Sequence, residues 1–204
     1  MQYETLRLLL LGGRYRMGIG MEGFSSPDQL LYLESAVKRT GARLVGEIGF
    51  NTGFSSYAFL RANPDTRVVS FDLGEHAYAK VAKRLIDKWF PGRHTLIYGD
   101  SRETVPEFVR TGTAHFDLVF IDGGHDYDVA KADIRNMQPA AGKTAVIMDD
   151  LIPWTDWGSG PTRAWTEAIQ AGIIRQDELF KDGKPADMIG PPAKRIWAMG
   201  QYLC

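Results

Sequence analysis

Two acidic runs stand out for the chemistry they could do. Asp122-Gly123-Gly124-His125 follows one apolar stretch, and Asp149-Asp150 follows another. Carboxylates gathered at one spot repel one another unless protons or a cation neutralise them. Hard oxygen donors with room for water suit Mg²⁺ or a similar divalent ion, with substrate oxygens completing its shell. His125, separated from Asp122 by two glycines, could take a proton from a hydroxyl on such an ion. The competing reading is plain. Asp126 and Asp128 cap a helix, Asp149-Asp150 open a loop, and His125 is a loop histidine bonded to backbone. Spacing alone leaves both readings open.

A third candidate lies earlier, in LVGEIGFNTGFS, from Leu44 to Ser55. An apolar run leads into Glu47, Gly49 and Gly53, and a helical pattern follows. Glycines at a strand-to-helix turn permit positive φ and let a ligand approach the backbone. The helix behind the turn offers unpaired N–H groups. Asp72, about 20 residues past the turn, is placed to accept hydrogen bonds from ribose hydroxyls, against the simpler role of capping the next helix. Asp100 and Ser101 could meet an adenine edge, and either could equally cap the helix that begins at Arg102.

The elements that must position these residues alternate along the chain. Ser26-Pro27-Asp28 opens a helix that ends at Gly41. Strands are expected at residues 43–49, 67–72, 94–98, 116–122, 144–149, 173–180 and 195–202. Helices are expected at 55–61, 77–89, 102–109, 128–137 and 161–171. Runs rich in Val, Ile, Leu and Phe, interleaved with amphipathic helices, predict a parallel sheet covered on both faces. Ligands of such sheets bind at the carboxyl ends of the strands, near the switch in strand order. All the polar residues singled out above fall at those ends. Trp154, Trp157 and Trp165 could form an aromatic wall for a planar or sugar substrate, or pack a lid against the core or a dimer interface. The turn-rich stretch 181–194 is a substrate loop or a link to the last strand.

The chain has 204 residues, enough for one domain with a full core, and 44% of them are hydrophobic and 24% charged. A net charge of −1 argues against a broad nucleic-acid footprint. The one cysteine, Cys204, excludes an intrachain disulfide. The apolar run Leu6 to Leu11 is too short to span a bilayer, so no membrane association and a cytoplasmic location are expected. Residues 1–25 read as an N-terminal arm or flap and 26–204 as a single domain. A homodimer is a further expectation.

Taken in order and at these intervals, the motifs resemble the class I S-adenosylmethionine-dependent methyltransferases. They are most similar to the catechol-type O-methyltransferases and the small bacterial family that includes macrocin-type sugar O-methyltransferases. EIGFNTGFS, SFDLG, LIYGDSRETVPEF, FDLVFIDGGHDYD and VIMDDL carry the resemblance. It implies a Rossmann-like, doubly wound α/β fold, its seven-stranded sheet mostly parallel with the last strand antiparallel. It implies S-adenosylmethionine held by Glu47, Gly49, Asn51, Gly53, Ser55, Asp72, Leu73, Asp100, Ser101, Arg102 and Asp122. It also implies Mg²⁺ or a similar divalent cation at Asp122, Asp149 and Asp150, with Asp122 and His125 catalytic and a small hydroxylated molecule as acceptor. The catechol enzymes carry a lysine where this chain has His125, which leaves the identity of the base open. Two other readings stand beside it: a nucleotide-dependent oxidoreductase, although the loop lacks G-x-G-x-x-G, and a catalytically silent cofactor-binding protein.

Overall fold

The computed structural model describes residues 25–112 and 115–203. The expected arm or flap at residues 1–25 lies almost wholly outside the described residues. The order of elements is α1 (Pro27–Thr40), β1 (Leu44–Ile48), α2 (Phe54–Ala62), β2 (Arg67–Asp72), α3 (Ala77–Trp89), β3 (His94–Tyr98), α4 (Ser101–Arg110), β4 (Leu118–Ile121), α5 (Tyr127–Ala141), β5 (Ala145–Met148), α6 (Asp156–Gln170), β6 (Ile174–Lys181), β7 (Lys184–Pro185) and β8 (Ile196–Tyr202). The strands form one sheet in the order β3-β2-β1-β4-β5-β8-β6-β7.

Strands β1 to β5 are mutually parallel, and β8 inserts antiparallel between β5 and β6. The order reverses between β1 and β4, which pair through Ile48 and Ile121. A crevice opens beyond the carboxyl ends of these two strands. The expected Rossmann-like architecture with an antiparallel final strand is what the chain adopts. The sheet has an eighth member, the two-residue β7, which pairs with the end of β6. Asp182 (φ 48°) and Gly183 (φ 82°) make the turn between them. An Asp-Gly pair between two extended runs is a hairpin signal that the sequence carried in plain view.

Successive residues of the central strands point to opposite faces, so one strand feeds two cores. Val119 and Ile121 join Ile134, Met137 and Trp165 of α5 and α6. Leu118 and Phe120 join Leu33 and Val37 of α1 and Phe59 of α2. Each such aliphatic side chain, removed from water, contributes about 1.5–3 kcal/mol. Two packed faces hold the strand ends in fixed register.

Helix ends are set by local chemistry. Ser26 Oγ accepts the Gln29 N–H at 3.2 Å, Pro27 takes the first turn, and Gly41 closes α1 with φ 66°. Helix α6 begins five residues earlier than the sequence pattern predicts. Thr155 Oγ1 accepts the Gly158 N–H at 3.0 Å and caps it. A Cβ at Gly160 would overlap the His125 carbonyl, and Pro161 follows it inside the helix. The residues from Asp156 to Gly160, which lie ahead of the expected helix, are thus the start of α6. Pro139 likewise sits inside the last turn of α5, which runs on to Ala141.

Candidate active site at the carboxyl ends of the strands

A cavity of about 850 Å³ occupies the crevice. Its wall includes Gly49, Asn51, Ser55, Asp72, Leu73, Asp100, Ser101 and Arg102 on one side and Asp122, His125, Asp149, Asp150, Trp157 and Arg195 on the other. Of the residues the resemblance implied, Glu47 and Gly53 are absent from that wall.

Glu47 lies beneath the loop, fully buried. It accepts hydrogen bonds from the hydroxyls of Ser55, Ser56 and Ser70. Burial raises its pKa, and the three hydroxyls oppose the rise. The effect is to pin the start of α2 against β1 and β2. Gly53, with φ 74°, is the left-handed residue at the head of α2. Gly49 has the stricter requirement. Its φ is 91°, and a Cβ there would overlap the Asp122 carbonyl. A glycine at this point lets the β1 and β4 turns touch and keeps the cavity floor thin.

Asp72 braces the loop from β2. Its Oδ2 accepts the N–H groups of Phe50 at 3.0 Å and Asn51 at 2.8 Å, and its Oδ1 accepts the Gly74 N–H at 2.7 Å. Each oxygen retains acceptor capacity toward the cavity. Asn51 takes a left-handed conformation with φ 46°. At the end of β3, Asp100 caps α4 through the Arg102 N–H at 2.9 Å. The Arg102 side chain returns to the same carboxylate, Nε to Oδ1 at 3.0 Å, and holds its pKa down. Asp100 thus caps the helix, and it also lines the cavity.

The acidic end is electrostatically tense. Asp122 is pushed well up, first by burial and then by Asp149 and Asp150, while Arg195 opposes the rise. Asp149 is pushed up to about 7 by burial and by Asp150, and a hydrogen bond from Gln29 works the other way. Gln29 Nε2 donates to Asp149 Oδ2 at 2.6 Å, while the buried Asp149 Oδ1 has no partner. Asp150, with φ 58°, turns its Oδ2 to His125 Nε2 at 2.9 Å. That contact raises the His125 pKa. The three acids share one end of the cavity but do not close on a common point. Among the described residues, no group of three or more His, Cys, Asp or Glu side chains is arranged to hold a metal ion. In donor chemistry the residues still fit a hard cation. They are oxygens, they are mutually repulsive, and one buried oxygen lacks a partner.

The three tryptophans part ways. Trp157 lines the cavity, its ring 6.1 Å from that of His125. Trp165 is wholly buried, its Nε1 donating to Gln176 Oε1 at 2.8 Å. Trp154 is 41% exposed and lies off the cavity wall. Sequence reasoning also missed Gln29 and Arg195. One lies on α1 and the other just before β8, and only the fold brings them to the acids.

Fold and site together define a Rossmann-like, S-adenosylmethionine-dependent methyltransferase. The family profile described as "Methyltransferase domain" matches residues 47–151, just over half of the chain, and the chain belongs to that family. The profile spans the glycine loop through Asp150. No curated protein matches the sequence significantly. Among solved structures, the chain is similar to the O-methyltransferase from Bacillus cereus in complex with SAH, at 18% identity over 97% of this chain and 90% of that one, with a TM-score of 0.76. It is similar to cofactor-bound Rv0187 from MTB at 20% identity, covering 97% and 89% of the two chains, with a TM-score of 0.78. It is also similar to the O-methyltransferase TomG from Streptomyces achromogenes in complex with SAM, at 20% identity, 97% and 89% coverage and a TM-score of 0.73. At these identities the likeness is one of fold.

Proposed function

We propose that this enzyme transfers the methyl group of S-adenosylmethionine to a hydroxyl of a small acceptor, with a divalent cation assisting. The observation that carries the reading is a single cavity that joins the loop and Asp72 at one end to Asp122, His125 and Asp150 at the other. The adenosine of the donor lies at the first end, against Asp72, Leu73 and Ser101. The sulfonium faces the second. Structures similar in fold were solved with SAM or SAH, and two of them are described as O-methyltransferases.

The methyl sulfonium is already electrophilic, so the protein has to align and deprotonate a nucleophile. The acceptor oxygen forms a bond to the methyl carbon, the carbon–sulfur bond breaks, and S-adenosylhomocysteine leaves. His125 is the group placed to take the hydroxyl proton. With Asp150 holding a proton on Nε2, the imidazole leaves Nδ1 as its acceptor, the same logic by which a carboxylate orients a catalytic histidine elsewhere. Asp122, Asp149 and Asp150 are the residues that would hold the cation, which when bound supplies Lewis acidity toward the acceptor hydroxyl. Trp157 forms one face of the acceptor end.

Two measurements test the reading. Asp122→Asn should bind S-adenosylhomocysteine nearly as well as the wild type and lose most of its methyl transfer to catechol or vicinal-diol acceptors. Chelation by EDTA should do the same to the wild type, with recovery on adding Mg²⁺. Full activity of Asp122→Asn would rule out the metal assignment. Donor binding with no transfer to any hydroxylated acceptor would favour a silent binding protein instead.

A further inference from the structure

Arg102, Lys194 and Arg195 are the lysine and arginine residues on the cavity wall. Two of them are already engaged. Arg102 returns to Asp100, with Nη2 2.5 Å from Oδ2. Arg195 Nη1 donates to Gln29 Oε1 at 3.4 Å, and its charge opposes the raised pKa values of Asp122 and Asp149. The exposed Lys194 ammonium has neither a hydrogen bond nor an ion pair among the described residues.

The fold fixes where this unused cation sits. Strand β8 runs antiparallel to β5 with Ala198 opposite Met148, and the Leu151 N–H donates to the Ile196 carbonyl at 2.9 Å. Lys194 and Arg195, just ahead of β8, therefore lie past the carboxyl end of β5, where Asp149 and Asp150 also stand. The backbone at this point is braced. Asp182, in the turn between β6 and β7, accepts the N–H groups of Lys194 and Arg195 on Oδ1, each at 2.9 Å. Its own N–H donates to the Arg195 carbonyl at 3.0 Å. Charge then decides what could meet the lysine. Asp122, Asp149 and Asp150 are balanced by a dication together with the Arg195 guanidinium. Asp126, also on the wall, is the N-cap residue of α5 and sits at the positive end of that helix. Lys194 is left as a surplus positive charge at the acceptor end. Lysine acts as a compact point charge, and one ammonium suits a single carboxylate. A phosphate monoester would call for more donors than it supplies, and the neighbouring guanidinium is committed to Gln29.

We propose that the acceptor is a hydroxy acid: its hydroxyl reaches His125, and a carboxylate elsewhere on the molecule pairs with Lys194. Lys194 is then a specificity-determining residue, selecting among hydroxylated molecules by charge while Trp157 covers the body of the acceptor. The inference rests on the reading of this end of the cavity as the acceptor site.

The test reads binding rather than turnover. The full chain, with S-adenosylhomocysteine and Mg²⁺ present, is titrated calorimetrically with protocatechuate, a catechol bearing one carboxylate, and with its neutral primary amide. The wild type should bind the acid about three- to fivefold more tightly than the amide, the reach of one solvent-accessible ion pair. Lys194→Gln should bring the two affinities together, and Lys194→Glu should favour the amide. Added salt should shrink the preference of the wild type. Affinity for S-adenosylhomocysteine, measured first, should be the same in all three proteins, which also shows that the variants fold. Equal wild-type affinities for acid and amide would overturn the proposal and leave the acceptor site in place. A preference for the acid that survives in Lys194→Gln would overturn it in the same way. If S-adenosylhomocysteine binds and neither catechol does, the acceptor reading falls and the proposal with it. Failure of the wild type to bind S-adenosylhomocysteine would instead sink the cofactor reading beneath both.

Discussion

The Gln29 side chain bridges Asp149 and Arg195, tying the first turn of α1 to the end of β5 and the approach to β8. Its Nε2 donates to Asp149 Oδ2 at 2.6 Å, and its Oε1 accepts from Arg195 Nη1 at 3.4 Å. Both the amide and the carboxylate are buried. Replacing Gln29 with Leu would leave a buried carboxylate with neither oxygen paired by that residue, a loss of about 1–3 kcal/mol. The expected outcome is a lower melting temperature and slower methyl transfer, with affinity for S-adenosylhomocysteine unchanged because the adenosine end is untouched. A wild-type melting temperature in Gln29→Leu would show that the contact carries no weight.

This bridge also shows where the sequence stops being legible. The acids at Asp72, Asp100, Asp122 and Asp149 could be found because each follows its own apolar run, and the fold places each at or just past the end of its strand. That relation is local. Gln29 is a polar residue on an amphipathic helix, and nothing in its neighbourhood distinguishes it from a solvated position. Its role follows from where α1 packs against the ends of β5 and β8. Glu47 was legible as an important acid but not as a buried one. Its three serine partners come from α2 and β2, and only pairing of β1 with β2 brings Ser70 beneath it. The start of α6 was hidden for a different reason. Gly158, Gly160 and Pro161 have poor helix propensity, and the Thr155 cap overrode it.

With the donor placed as proposed, against Asp72, removal of this residue should act on binding before chemistry. Its carboxylate holds two backbone N–H groups of the loop and one beyond β2. Hydrogen bonds to a charged group are worth about 1.5–3 kcal/mol each. Asp72→Ala should weaken S-adenosylhomocysteine binding by roughly 10–100-fold, since about 1.4 kcal/mol is a factor of ten. Calorimetric titration gives the number directly. Asp72→Asn should fall between the two, because the amide oxygen still accepts while the charge is gone. A variant with unchanged affinity would confine Asp72 to bracing the turn.

His94 makes stability depend on pH. Its ring is buried, stacked on Phe50 with centroids 4.9 Å apart, and Nε2 meets Ser70 Oγ at 2.9 Å. Burial, with Lys83 nearby, lowers its pKa to about 3 from an ordinary 6.5. Above the ordinary value neither folded nor unfolded chain carries the proton, and the residue has no effect. As pH falls below it, the unfolded chain binds a proton that the folded chain refuses, so stability declines by up to about 1.4 kcal/mol per unit. The decline ends near the folded pKa. Glu47, raised by burial, titrates in the opposite sense and is common to both proteins in the comparison. Urea unfolding between about pH 7 and about pH 4.5 should show a shallower slope for His94→Gln than for wild type. Parallel slopes would mean that the ring accepts its proton without unfolding.

Truncation at Trp157 tests the proposed acceptor end of the cavity apart from the donor end. The residue stands in the first turn of α6, 40% exposed, with its ring beside His125 at the end of the cavity away from Asp72. An aromatic face there offers an acceptor ring about 0.5–1.5 kcal/mol beyond the area it covers. Truncation to Ala should raise the acceptor KM by roughly three- to tenfold, since about 1.4 kcal/mol is tenfold, and should leave the affinity for S-adenosylhomocysteine alone. Trp154 is equally exposed but stands off the cavity wall, so Trp154→Ala is the matched control and should leave both constants in place. Trp165→Ala answers a different question, because removing that buried ring opens a hole in the core and costs about 3–5 kcal/mol of stability. If Trp157→Ala and Trp154→Ala have the same effect on KM, the acceptor does not lie against α6, and the aromatic wall must be sought elsewhere around His125.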